Sequence, residues 1–232
     1  AVPEEVMLDY IKEAMKNSGV AYLTLAGGVY GNVRLNKKIA ELAQVQGLFI
    51  HPAMNDQGIS LGAGFQYLAE KTGLKPNALH NVYWGPGYED REVEIALKEM
   101  NLPYEYHRDD IEKVVAQLLS QGKVVARFAG RLEYGPRALG NRSILYQTTD
   151  KSVNDWLNRK LRRSEYMPFA PVTLEEYATQ CYRGIEKVRQ NTKFMTIALD
   201  CTDWMKAISP GVVHVDGTAR PQLIKEDENP NY

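Results

Sequence analysis

Apolar residues recur at helical spacing from Val2 to Ser18, with Val6, Leu8, Ile11, Ala14 and Met15 on one side, and predict an amphipathic opening helix. Ala21 to Leu25 is a short apolar run that reads as a strand ending at Gly27-Gly28. Helical spacing resumes from Asn32 to Gln44, and Leu48 to Ile50 forms a second buried strand stopped by His51-Pro52. Gln57 to Thr72 reads as a helix of small residues, whose Gly58, Gly62 and Gly64 lower its propensity and predict close packing against a neighbour. Strand and helix alternate, which is the pattern of an α/β layer.

Pro76, Gly85, Pro86 and Gly87 punctuate the next stretch and predict a break near residue 80, dividing the chain into 1–80 and 81–232. Beyond it the pattern predicts a helix from Glu89 to Met100, a short strand at Tyr104 to Tyr106, and a helix from Asp109 to Ser120 capped by its aspartates. Lys123 to Phe128 and Ser143 to Gln147 read as strands, and Asp150 to Lys160 as a helix. The spacing Thr173…Glu176 predicts a capped helix start. Thr196 to Leu199, Gly211 to Val215 and Gln222 to Ile224 read as strands, the last two joined by a turn at Asp216-Gly217.

With 232 residues, 44% hydrophobic and 25% charged, the chain has the make-up of an ordinary globular protein. No apolar run approaches a membrane span and no signal peptide opens the chain, so the cytoplasm is the expected location. Cys181 and Cys201 lack metal-ligand spacing and read as thiols of a reducing compartment. Charge changes the picture more. Between Lys123 and Arg163 ten Lys and Arg stand against three acids, in a chain whose net charge is −1. A local field of that kind steers a small polyanion. A nucleic-acid groove would make the domain basic as a whole, so neither nucleic acid nor membrane is an expected partner.

That basic stretch contains the most specific motif, Gly-Arg-Leu-Glu-Tyr-Gly-Pro-Arg-Ala-Leu-Gly-Asn-Arg-Ser-Ile-Leu at 130–145. Arg131, Arg137 and Arg142 offer forks matched to phosphate or carboxylate, among glycines that admit close backbone approach. The competing reading is a glycine-punctuated turn with incidental cations. Gly27, Gly28 and Asn32, between a strand and a helix start, suit phosphate or ribose, or else a tight packing turn. Asp56 is a hard oxygen ligand or an N-cap. Lys160, Arg162 and Arg163 either close a helix or extend a phosphate cradle. His214, with Asp216 and Arg220 nearby, is structural or able to titrate and orient a leaving group near neutral pH.

Together these segments resemble the O-carbamoyltransferase family of nodulation and antibiotic-tailoring enzymes. The motif at 130–145 matches that family's hallmark nearly letter for letter, and Asn154-Asp155-Trp156-Leu157-Asn158 with Glu165 to Pro171 is most similar to the nodulation branch. The resemblance implies an α/β chain: the rear half of an actin/sugar-kinase-like domain (1–80), then a YrdC-like α/β domain (81–232) truncated at its C-terminus. It implies that ATP and carbamoyl phosphate form a carbamoyl-adenylate, whose carbamoyl group passes to a substrate hydroxyl. The acceptor would be a small molecule, for instance a nodulation-type oligosaccharide. The implied cofactors are ATP, carbamoyl phosphate as co-substrate and a divalent metal, iron, with magnesium accompanying ATP. Arg131, Arg137, Arg142, Lys160 and Arg163 would serve the phosphates, Gly27, Gly28 and Asn32 the adenylate, and Asp56 the metal; His214 and Lys160 are the candidate catalytic residues.

The histidine ligands that should accompany Asp56, and a segment expected near the family's C-terminus, are missing, and the chain starts at Ala1. It therefore reads as a fragment of a protein more than twice its length, unable by itself to turn over. Two rivals stand beside this reading: a threonylcarbamoyl-type tRNA-modifying enzyme, and a nucleotide-binding module without turnover. The position of the charge also predicts that residues 81–232 bind anions independently of 1–80.

Overall fold

A computed structural model describes residues 2–75, 78–160, 162 and 169–232. Helix α1 (Val2–Ser18) leads into β1 (Tyr22–Leu25), α2 (Val33–Ala40) and β2 (Gly47–Ile50). The strands pair in parallel, Tyr22 opposite Gly47 and Leu25 opposite Ile50, so α2 is the crossover of a βαβ unit. Asn32 starts α2 as its N-cap: the side-chain oxygen accepts the backbone N–H groups of Arg34 (3.1 Å) and Leu35 (3.0 Å).

Helix α3 (Gln57–Thr72) forms where predicted, but the expected close packing is absent: it buries no residue, and Gly62 and Gly64 face open space. Only Gly58 is tight, against the Ala53 carbonyl. Helices α4 (Asp90–Glu99) and α5 (Ile111–Ser120) also bury none of their residues. Glu89 and Glu92 cap α4 reciprocally. The aspartate cap expected for α5 does not form, because the Asp110 carboxylate lies 3.1 Å from His107 Nδ1 instead. The strand expected at 104–106 is irregular; Tyr104 donates its hydroxyl to Glu94 (2.7 Å), which holds the segment to α4.

Strands β3 (Val125–Phe128) and β4 (Arg142–Leu145) are antiparallel with Phe128 opposite Arg142, and the arginine motif is their connection. Then come α6 (Ser152–Lys160), β5 (Val172–Leu174), α7 (Ala178–Cys181), α8 (Arg189–Thr192), β6 (Leu199–Asp200), α9 (Asp203–Ile208), β7 (Thr218–Ala219) and β8 (Gln222–Ile224). β5 pairs in parallel with β8, and β6 antiparallel with β7. The helix start expected at Thr173 is a strand: β-branched Val172 and Thr173 join β8, and the Thr173 hydroxyl lies 2.8 Å from that of Tyr182. The strand expected at 211–215 opens instead as a 3₁₀ turn, Pro210–Val212, started by its proline.

One core holds the chain. Ile11, Leu35, Ile39 and Ile50 share it with Tyr182, Ile185, Ile197 and Leu223, so residues from both sides of position 80 close the same apolar volume. Buried Asn191 extends the free edge of β2: its side-chain oxygen accepts Ile50 N–H (2.7 Å) and its amide donates to the Leu48 carbonyl (2.7 Å). Asn36 donates to the carbonyls of Tyr30 and Thr196, both at 2.7 Å. A smaller cluster of Val82, Leu139, Phe194 and Met195 seats the arginine loop beside this core. Among the described residues no helix is long and apolar enough to cross a membrane.

Candidate functional site

The β3–β4 connection is organised around an acid. Glu133 is buried, and its Oε1 accepts the backbone N–H groups of Leu139 (2.8 Å), Asn141 (2.8 Å) and Arg142 (3.2 Å). Asn141 donates to the Arg131 carbonyl (2.8 Å), tying the two arms together. Arg142 donates to the Ala129 carbonyl (2.7 Å) and lies 3.7 Å from the centre of the Phe128 ring. Arg131 donates to the carbonyls of Trp84 (2.5 Å) and Gly85 (3.0 Å). Two of the three motif arginines therefore stitch the loop together, while their charge still contributes to the local field.

The loop reaches the other half of the chain at Tyr134-Gly135. Tyr134 stacks on Trp84 with ring centres 5.2 Å apart, meets the edge of His51 at 5.9 Å and donates to the Gln57 carbonyl (3.3 Å). At Gly135 φ is +106°, and a Cβ there would stand 3.2 Å from the Pro52 carbonyl oxygen. Only glycine takes that conformation without strain, so the approach to Pro52 depends on it.

This path presents Arg137 to a cavity of about 340 Å³ that Asn32 and Arg34 of the α2 start also line, together with His214, Asp216 and Arg220. Asn154 supports the wall from behind: it donates to the Gly211 carbonyl (2.6 Å) and accepts the Phe169 N–H (3.2 Å). The His214 turn is closed by Gly217 N–H on the His214 carbonyl (2.9 Å) and His214 N–H on the Thr218 carbonyl (2.8 Å). Asp216 Oδ1 accepts the Thr218 amide (3.1 Å) and hydroxyl (2.7 Å) and lies 3.0 Å from His214 Nδ1. Burial works to raise the Asp216 carboxyl, but the Thr218 and His214 bonds outweigh it and hold it down to about 2. It is thus a carboxylate at neutral pH, the acceptor for a proton on His214 Nδ1. Among the described residues three guanidinium groups and one carboxylate line the cavity, in a volume at the lower end of small-molecule sites, which suits an anion of phosphate to nucleotide size.

The structure thus brings together Asn32, Arg137 and His214 among the residues singled out by sequence. Asn32 is committed at its side-chain oxygen to capping α2, so only its amide NH₂ group remains to reach a base or ribose. Gly27 has φ of +110°, and Gly28 opens a 3₁₀ turn, Gly28–Gly31; a Cβ at either would meet open space, and neither lines the cavity. Lys160 ends α6 and does not line the cavity; Arg163 lies outside the described residues. Asp56 precedes α3 without a side-chain capping bond. Among the described residues no three His, Cys, Asp or Glu side chains cluster to hold a metal, so Asp56 has no companion ligand set there. Sequence reasoning missed Glu133 and Arg34. The signal for the first was a single acid inside the basic motif, and for the second a cation two residues after the N-cap.

Comparison with known families decides what kind of chain this is. The family model for the carbamoyltransferase C-terminus matches residues 116–232, and that for the carbamoyltransferase N-terminus matches 1–65. The chain belongs to the carbamoyltransferase family. The cavity draws on both family segments, Asn32 and Arg34 from one and Arg137 and His214 from the other. The nodulation protein NolNO of Sinorhizobium fredii is 35% identical over 99% of this chain and 34% of its own length. Nodulation protein NolO of Bradyrhizobium diazoefficiens is 34% identical over 99% of the chain and 42% of its own. An uncharacterized protein of Methanocaldococcus jannaschii is 35% identical over 99% and 38%. The chain therefore spans roughly a third to two fifths of the length of these relatives.

Proposed function

We propose that the chain is part of an ATP-dependent O-carbamoyltransferase that forms carbamoyl-adenylate from carbamoyl phosphate and ATP and passes the carbamoyl group to a substrate hydroxyl. The observation that carries this reading is the convergence of three motif segments, at Asn32, Arg137 and His214, on one cationic cavity. In the first step water cleaves carbamoyl phosphate to carbamate and inorganic phosphate, and a carbamate oxygen then bonds to the α-phosphorus of ATP while pyrophosphate leaves. In the second the acceptor oxygen bonds to the carbamoyl carbon, AMP leaves, and the acceptor proton passes to a base. Both steps move negative charge along phosphoryl oxygens, which preorganised guanidinium groups stabilise. Arg137 and Arg220 are placed to do so, while Arg131 and Arg142 hold the loop that presents Arg137. Lys160 and Arg163 contribute to the field that steers the anions in. His214, held by Asp216 at 3.0 Å, is the cavity residue that would exchange the proton.

Asp56 by itself does not make a metal site, and no step is routed through one. Assigning 1–80 to a kinase-like domain and 81–232 to a YrdC-like domain belongs to the same proposal, as does an oligosaccharide hydroxyl as acceptor, suggested by the nodulation relatives. Calorimetry tests the core of it. ATP and carbamoyl phosphate should bind this chain, and Arg137→Ala should weaken binding by at least tenfold, since a charge-assisted bond is worth about 1.5–3 kcal/mol. Unchanged affinity in a variant with a native circular dichroism spectrum would remove the loop from the site. Retention of tRNA in a filter assay without carbamoyl phosphate binding would favour the tRNA-modifying rival instead.

A further inference from the structure

We propose that His214, positioned by Asp216, is a protonatable ligand of the phosphoryl anion in this cavity, so that binding the anion draws a proton onto the imidazole. The proposal rests on the cavity being the anion site of the preceding section, and adds a property that carbamoyl transfer does not require. Its basis is the geometry of one turn. Asp216 is fixed through Oδ1 by the Thr218 amide and hydroxyl, and that same oxygen faces His214 Nδ1 at 3.0 Å. A carboxylate accepts only, so Nδ1 carries a proton in either charge state of the ring. The ring nitrogen left over is Nε2. On a neutral ring Nε2 is a lone pair, which repels a phosphoryl oxygen; on a charged ring it is a donor, which binds one.

The surrounding charges make this choice sensitive to the ligand. Arg34 from the α2 start, whose Nε lies 4.0 Å from the Glu4 carboxylate, Arg137 from the β3–β4 loop and Arg220 after β7 line the same cavity and oppose a further positive charge. Asp216 favours it. Lys206 of α9 runs against Gly217 on the other side of the turn and pairs with Asp203 at 3.4 Å. An entering dianion offsets the three guanidinium groups and tips the balance toward the charged ring.

The test is NMR of the imidazole groups in the 232-residue chain, which has four histidines. His214→Gln identifies the His214 signal by its loss. Sodium sulfate is the first probe, because its charge is constant from pH 6 to pH 8, with chloride holding ionic strength; AMP is the second and carries the same kind of anionic head on a nucleoside. With either, the His214 titration should move to higher pH while His51, His80 and His107 stay in place. Sulfate should bind about fivefold more tightly at pH 6 than at pH 8, about tenfold being the limit that a one-unit shift sets. His214→Gln should bind sulfate with no such pH dependence, and Asp216→Asn should shrink the shift while keeping the turn's shape. AMP acting at much lower concentration than sulfate would mark the ligand as a nucleotide, and equal potency a bare phosphoryl anion. If ATP and carbamoyl phosphate bind but the His214 titration does not move, this inference falls and the proposed function stands. If none of the anions binds, both fall. Should Asp216→Asn unfold, the wild-type titration decides alone.

Discussion

Glu133 offers the sharpest test of how the arginine motif is built. Its buried Oε1 accepts three backbone N–H groups, at 2.8, 2.8 and 3.2 Å. Glu133→Gln keeps the shape and one carbonyl oxygen but removes the charge. Hydrogen bonds to charged groups are worth about 1.5–3 kcal/mol against about 0.5–1.5 for neutral ones, so three bonds each weakened by about 1 kcal/mol amount to about 3 kcal/mol. Glu133→Ala leaves all three N–H groups without their acceptor and should cost more, about 3–6 kcal/mol at 1–3 each less what water recovers. The loop is a local structure, so the loss should appear as local opening before global unfolding. Native-state hydrogen exchange at Leu139, Asn141 and Arg142 reads it directly. In Glu133→Gln these amides should exchange about 150-fold faster, the factor that about 3 kcal/mol represents, with the amides of β2 unchanged. Exchange at wild-type rates in both variants would show that the arginines, not the acid, organise the loop.

Two further outcomes follow from buried or isolated side chains. Asn191→Leu preserves volume but orphans Ile50 N–H and the Leu48 carbonyl, and should lower stability by about 2–4 kcal/mol, read from the urea midpoint; an unmoved midpoint would refute the staple. Iron or zinc added to this chain should bind weakly, and Asp56→Ala should leave metal content unchanged by elemental analysis, because one carboxylate seldom holds a transition ion without partners. Stoichiometric metal that survives desalting in the wild type and is lost in Asp56→Ala would show otherwise.

The sequence was legible where the pattern was local. The 3.6-residue spacing of Ile11 and Met15 predicts α1, and short apolar runs bounded by glycine and proline predict β1 and β2. It failed where a partner distant in sequence decided the outcome. Thr173 carries a helix-capping pattern, yet pairing with β8 makes it a strand. The glycines of α3 suggest a packed helix, yet nothing in the described chain packs on Gly62 or Gly64. At the site, residue type identified the arginine motif but not the division of labour within it. Arg131, Arg137 and Arg142 are alike in sequence; only the fold shows that two grip backbone carbonyls and the third lines a cavity. Asn32 has the side chain of a ligand residue, but its oxygen is satisfied by the helix it starts.

The charge distribution places the anion-attracting field after residue 120, which by itself implies that residues 81–232 bind anions alone. Packing argues the other way. Ile11, Leu35, Ile39 and Ile50 close the core over Tyr182, Ile185, Ile197 and Leu223, and Asn191 satisfies its amide on β2. Removing residues 1–80 would expose those four apolar side chains, at about 1.5–3 kcal/mol each, a total comparable to the net stability of a whole domain. It would also strip Asn32 and Arg34 from the cavity wall and Pro52 from beneath Gly135. Residues 81–232 expressed alone should therefore lack a cooperative thermal transition and bind sulfate no better than a scrambled basic peptide, while the 232-residue chain does both. Mixing in residues 1–80 should restore the transition if the shared core is the reason. A truncated chain that melts cooperatively and binds anions with full affinity would mean that the field of the second half suffices, and that the contacts across position 80 serve transfer, not binding.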